Sequence, residues 1–207
     1  MKKVIFTLVM MVSSMVTFAQ NEVGKFSIRP EVGVVASQVL ITEDKGHNDL
    51  HIGESNYKGG LTGGVEVEYQ AKKWLGFSAG ALYTQLGANG KDGKGINMKY
   101  DYITVPVLAN FYPCKHLCLK VGLQPSVNIN SSATRNGQPM TAFQGDNIRK
   151  FDLQIPVGVS YETHGFIVDA RYNIGAINMF KDGRDGRSTF GMNNSYATLT
   201  VGYKFSL

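Results

Sequence analysis

Three short groupings and one dispersed set of residues have the types and spacings that chemistry requires. Cys114 and Cys118 flank the Lys115-His116 pair, where an oxidising compartment would either close a local disulfide or leave two free thiols. His47 and His51, with Asp44 and Asp49 close by, imitate the separation of paired metal ligands. Off a helix that separation fixes no geometry, and a solvated loop is the simpler reading. Asp182-Gly183-Arg184-Asp185-Gly186-Arg187 suggests a calcium loop, but its arginines oppose a cation and it reads as a loop tip. The dispersed set is Arg29, Glu31, Glu66, Glu68, Lys120, Asp152, Asp169, Arg171 and Lys204, charges that recur inside apolar alternation. His116 and His164 belong to turns, and no nucleophile elbow, phosphate loop or triad pattern is found. The expectation is therefore a non-enzymatic protein with no catalytic residue, metal site or cofactor.

What must position those residues follows from composition and period. The 207 residues are 43% hydrophobic, 11% aromatic and 18% charged, with 24 glycines. That charged share lies below the roughly 25% of soluble domains, and the wealth of Val, Ile, Leu, Phe and Tyr excludes disorder. Met1-Lys2-Lys3, the apolar run from Val4 to Val12 and the small residues Thr17 and Ala19 spell a secretory signal peptide cut between Ala19 and Gln20. The expected organisation is a signal peptide over 1–19 and one domain over 20–207. Loss of Lys2 and Lys3 takes the net charge from +5 to +3, scattered in sign, which argues for a mixed solvated surface and against nucleic acid.

After Gln20 no apolar run approaches the roughly 18 residues of a helical span. Period-two alternation replaces it. It predicts strands over Phe26–Gln38, Gly59–Gln70, Leu75–Gly87, Tyr100–Phe111, Leu117–Asn130, Phe151–Glu162, Phe166–Asn178 and Ser195–Phe205. Each is at least as long as the roughly 9–11 residues a tilted strand needs to cross a bilayer. Tight turns at 70–75, 111–117 and 162–166 alternate with long segments at 39–58, 88–99, 131–150 and 179–194, the arrangement of periplasmic turns and extracellular loops. At the short-turn end stand Phe26, Tyr69, Trp74, Phe77, Phe111, Tyr161, Phe166, Tyr203 and Phe205, which read as an aromatic girdle at the membrane interface. The polar face interleaves the charges above with Gly33, Gly64, Gly80, Gly122 and Gly158. Small residues beside opposite charges suit a crowded lumen better than a soluble surface, so the apolar face should look outward into lipid. The fold expected is all-β: an eight-stranded antiparallel up-and-down transmembrane β-barrel in the bacterial outer membrane. An eight-stranded lumen is just filled by side chains, with Arg29, Lys120, Arg171 and Lys204 expected to pair with Glu31, Glu66, Glu68, Asp152 and Asp169. The partners expected are outer-membrane lipid, the barrel-assembly machinery during insertion, and an extracellular or envelope protein met through the loops.

Tyr102-Ile103-Thr104-Val105-Pro106-Val107-Leu108-Ala109-Asn110-Phe111-Tyr112 resembles the Tyr-Ile-x-x-Pro-x-Leu…Tyr strand of the Bacteroidetes outer-membrane β-barrel family, the PorT-like or "porin family" proteins. Asp152-Leu153-Gln154-Ile155-Pro156-Val157 echoes it, and Arg171-Tyr172-Asn173-Ile174-Gly175 is similar to that family's penultimate strand. The resemblance implies an eight-stranded barrel like those of OmpA and OmpX. It implies no single activity, since members include a component linked to protein secretion and gliding. The resulting expectation is a structural or surface-interaction barrel, with a narrow channel or secretion-accessory barrel as the alternative.

Overall fold

Alternation with period two turns successive side chains to opposite faces of a strand. A sheet that is apolar on one face and polar on the other can close so that only one face meets the surroundings. The computed structural model describes residues 23–43, 58–89, 96–135, 138–139, 150–177 and 190–207, and among them there is strand but no helix. The strands are β1 (Phe26–Glu43), β2 (Lys58–Lys72), β3 (Leu75–Asn89), β4 (Ile96–Thr104), β5 (Val107–Cys114), β6 (Leu117–Arg135), β7 (Gln138–Pro139), β8 (Phe151–Thr163), β9 (Phe166–Gly175), β10 (Phe190–Tyr203) and β11 (Phe205–Ser206). β4 and β5 are one stave interrupted at Val105-Pro106, β10 and β11 another, and β7 is a short extension paired with β6. The result is a closed barrel of eight staves, all antiparallel, with β1 pairing β10 to complete the circle.

Sequence and structure differ at strand ends. β1 continues to Glu43, β3 to Asn89 and β6 to Arg135, while β4 begins at Ile96 and β10 at Phe190. The staves therefore run further toward the long connections than the alternation indicated. β9 stops at Gly175, short of Asn178. The interruption at Val105-Pro106 follows from proline's missing N–H. The ladder is mended on both sides, with Val105 N donating to Pro125 O at 2.8 Å and Gly80 N donating to Pro106 O at 3.1 Å.

Register fixes the girth. Starting at Arg29 and following the ladders around the barrel, extended in register at Pro106 and beyond Asn173, leads through Glu66, Gly80, Pro106, Gln124, Gln154, Gly175 and Asn194 back to β1 at Val39. The offset from residue 29 to residue 39 is a shear of ten. With eight staves it corresponds to a strand tilt of about 40° and a backbone radius of about 8 Å.

The outward face is apolar and exposed, as at Val32 (60%), Leu61 (58%) and Val201 (55%). The inward face holds the buried charged, amide and hydroxyl side chains. The core is thus the lumen itself. The three tight turns and both described chain ends gather at one end, the turn end, and the long connections at the other, the loop end. Residues 1–19, read above as a signal peptide, and His47, His51 and the 182–187 segment lie outside the described residues.

Candidate functional site

The phase of each strand decides which residues reach the lumen. Arg29 and Glu31 share the inward phase of β1, Glu66 and Glu68 that of β2, Lys120 that of β6, and Asp169 and Arg171 that of β9; all are buried. At mid-height six of these charges converge. Arg171 donates through Nε and Nη2 to Asp169 at 2.8 and 3.0 Å and through Nη1 to Glu66 at 2.5 Å. Arg29 bonds Glu66 and has Nε 3.1 Å from Glu31, whose carboxylate is also 3.6 Å from Arg171. Lys120 bonds the Asp169 carboxylate. Three cations face three carboxylates, so the cluster carries no net charge. Burying ions costs several kcal/mol each unless partners and hydrogen bonds offset it, and here every ion has an opposite charge in contact.

A second group closes the turn end. Lys204 Nζ lies 3.4 Å from Glu68 and 3.2 Å from Glu162. The Tyr112 hydroxyl donates to Glu68 at 2.5 Å and accepts from Lys204 at 3.2 Å. Asp152 is buried nearer the loop end of β8, with Oδ1 accepting from the Leu153 amide at 2.8 Å.

A third layer was not anticipated from sequence. Toward the loop end the lumen is filled by Val35, Leu86, Tyr100, Tyr102 and Tyr196, with Met98 against them. The Tyr196 hydroxyl accepts from Gln124 Nε2 at 2.5 Å. The signal that could have found these residues is parity: Tyr100 and Tyr102 stand in phase with Thr104 and Asn110, so they must face the same way. The same parity explains the motif that carried the family resemblance. Tyr102, Pro106, Leu108 and Tyr112 are all buried in the lumen, so the motif is an instruction for packing. Between the charged and aromatic layers a cavity of about 10 Å³ remains, bordered by Glu31, Thr84, Gln124, Arg171 and Asn173, space for about one water molecule.

Outside, at the turn end, all nine aromatic residues named from sequence are exposed and several touch. Phe26 and Tyr69 have ring centroids 4.9 Å apart, Trp74 and Phe111 6.3 Å, Phe166 and Tyr203 5.1 Å, and Tyr203 and Phe205 4.8 Å. The fifth stave, without an aromatic of its own there, is flanked by the His116 ring, 5.7 Å from that of Tyr161.

The disulfide considered for Cys114 and Cys118 is not formed; both are free thiols. A register shift between Phe111 and Cys114 sets Cys114 opposite Leu117. The Cys118 side chain turns into the lumen and is fully buried, whereas Cys114 is half-buried. Among the described residues no three His, Cys, Asp or Glu side chains converge in a metal-holding geometry.

A closed barrel of eight antiparallel staves, apolar outside and filled by polar and aromatic side chains inside, defines the class: a transmembrane β-barrel of the bacterial outer membrane. Residues 18–181 match the family described as outer membrane protein beta-barrel domain, and the chain belongs to it. Among solved structures it is similar to Ail, the attachment invasion locus protein of Yersinia pestis, with a TM-score of 0.50 and 18% identity over 89% of this chain and 100% of that one. It is also similar to Neisserial surface protein A (NspA), with a TM-score of 0.52 and 17% identity over 87% of this chain and 97% of that one. At these identities the likeness speaks for the fold alone. No curated protein matches the chain by sequence.

Proposed function

We propose that this is a non-enzymatic outer-membrane protein whose barrel is a closed pedestal and whose long loops form the working surface, in a structural or surface-interaction role. On this reading residues 1–19 export the chain, the assembly machinery inserts the barrel, the turn end faces the periplasm and the loops meet the exterior. The nine exposed aromatics then serve as the girdle at the inner headgroup level. The observation that carries the proposal is the filling of the lumen by two charged groups and an aromatic layer, with a residual cavity of about 10 Å³. Among the described residues, a lumen so filled leaves no aqueous path of the kind larger barrels enclose. The test is planar-bilayer recording from purified protein. No steady large conductance is expected, and a steady large conductance refutes the closed pedestal.

A second reading, a secretion-accessory barrel of the PorT-like kind, is favoured by the segment from Tyr102 to Tyr112. Deletion of the protein that leaves the outer membrane intact but halts export of secreted proteins would support it.

A further inference from the structure

We propose that the turn end of β2, β3, β5 and β6 is a binding site for an anionic phospholipid, its headgroup held by Lys72, Lys73 and Lys115 around Trp74. This rests on the reading that the aromatic ring lies at headgroup depth. The two turns that supply the lysines are joined: Tyr112 N donates to Trp74 O at 2.9 Å, and the Trp74 and Phe111 rings stack at 6.3 Å. All three lysines are exposed, and Lys72 Nζ sits 5.5 Å from the centre of the Trp74 ring. That holds an ammonium at the tip of an interfacial aromatic, where a lipid phosphate lies. Within residues 70–75 and 112–117 there is no acidic side chain. Glu68, the nearest acid on β2, and Glu162, whose backbone pairs with His116, both have their carboxylates engaged by Tyr112 and Lys204. On the outer wall below, Phe77, Phe111 and Val107 are exposed on neighbouring staves, a continuous apolar track for the acyl chains. Positive charge, aromatic edge and apolar track thus come in the order of a phospholipid's own parts. A zwitterionic lipid such as phosphatidylcholine brings its own cationic group, which the lysines repel, whereas phosphatidylglycerol brings uncompensated negative charge.

Trp74 is the chain's single tryptophan, so it reports on this site directly. The full barrel is inserted into vesicles in which either phosphatidylglycerol or phosphatidylcholine is brominated on its acyl chains, and quenching of Trp74 is compared. Each lysine that meets an anionic headgroup adds about fivefold to its local preference. Quenching should therefore favour brominated phosphatidylglycerol at least fivefold over its share of the bilayer. The preference should shrink as salt is raised and fall to about one in Lys72→Gln/Lys73→Gln/Lys115→Gln. Lys99→Gln, at the loop end, should leave it unchanged. Equal quenching by both lipids overturns the site while leaving the aromatic ring at headgroup depth. Absence of quenching by either lipid overturns both. A preference that survives the triple substitution overturns the assignment to these lysines.

Discussion

Removing the Arg171 guanidinium should unbalance the lumen. Arg171 contacts Asp169 and Glu66 and lies 3.6 Å from Glu31. In Arg171→Met a side chain of similar length remains, but three carboxylates then face only Arg29 and Lys120. Breaking a buried pair from one side costs about 3–5 kcal/mol, chiefly because a charge is left without compensation. At a urea slope of about 2 kcal/mol per molar, the unfolding midpoint should fall by about 1.5–2.5 M. Glu66→Gln alone should also destabilise, leaving a cation in excess. Combining the two restores balance, since the Arg29–Glu31 and Lys120–Asp169 contacts remain. The double variant should recover about 1–3 kcal/mol relative to the sum of the single losses. The assay is urea titration of the vesicle-inserted barrel, with the folded fraction read from its faster gel migration before boiling. An unchanged midpoint in Arg171→Met refutes the argument, and so does a double variant whose loss equals or exceeds the sum of the two.

Four further outcomes follow from other parts of the barrel. Tyr112→Phe deletes the hydroxyl that serves Glu68 and Lys204 and should cost about 1–3 kcal/mol in the same titration. Gly165 has φ +83°, and a Cβ there would lie 2.6 Å from the Tyr203 ring, so Gly165→Ala should lower stability by at least about 1–2 kcal/mol. Dithiothreitol should leave the midpoint unchanged because the thiols are free. A maleimide followed by mass spectrometry should modify Cys114 ahead of Cys118, which should react only after unfolding.

How much of this was legible depended on which residues carry phase. Strands in which an apolar residue recurs at every second position, such as Phe151–Thr163, could be read almost to their ends, because lipid demands apolar side chains along the whole outward face. The inward face imposes no such uniformity. Tyr100, Tyr102, Tyr196 and Leu86 are apolar or aromatic yet buried inside, so rating positions by polarity misplaces them where counting by parity does not. The break at Pro106 was hidden for a related reason: its flanks keep phase across it, with Leu82 opposite Thr104 and Ala79 opposite Val107. Register, and hence which charges meet, depends on shear, a property of the closed circle that no single strand encodes. The nine charges could be named from the chain. That Arg171 reaches Glu66, 105 residues away, could not.

The glycines of the inward face tie these levels together. A lumen of about 8 Å backbone radius cannot hold six charged side chains at one height if every neighbouring position also carries a side chain. Glycine stands across from the charges in register: Gly64 and Gly202 flank Glu31, Gly80 faces Glu66, and Gly158 lies between Lys120 and Arg171. A Cβ at Gly80 would sit 2.5 Å from Glu66 Cγ, and one at Gly158 would sit 2.8 Å from Arg171 Cγ. These glycines therefore supply volume into which arginine and glutamate fold back toward one another. The sequence pattern of glycine beside charge, which pointed to a lumen before any register was known, is the space requirement of the ion cluster written along the strands. It follows that the cluster and its glycines must change together: adding a methyl group at Gly158 should push the Arg171 guanidinium off Asp169 and reproduce part of the Arg171→Met loss without removing any charge.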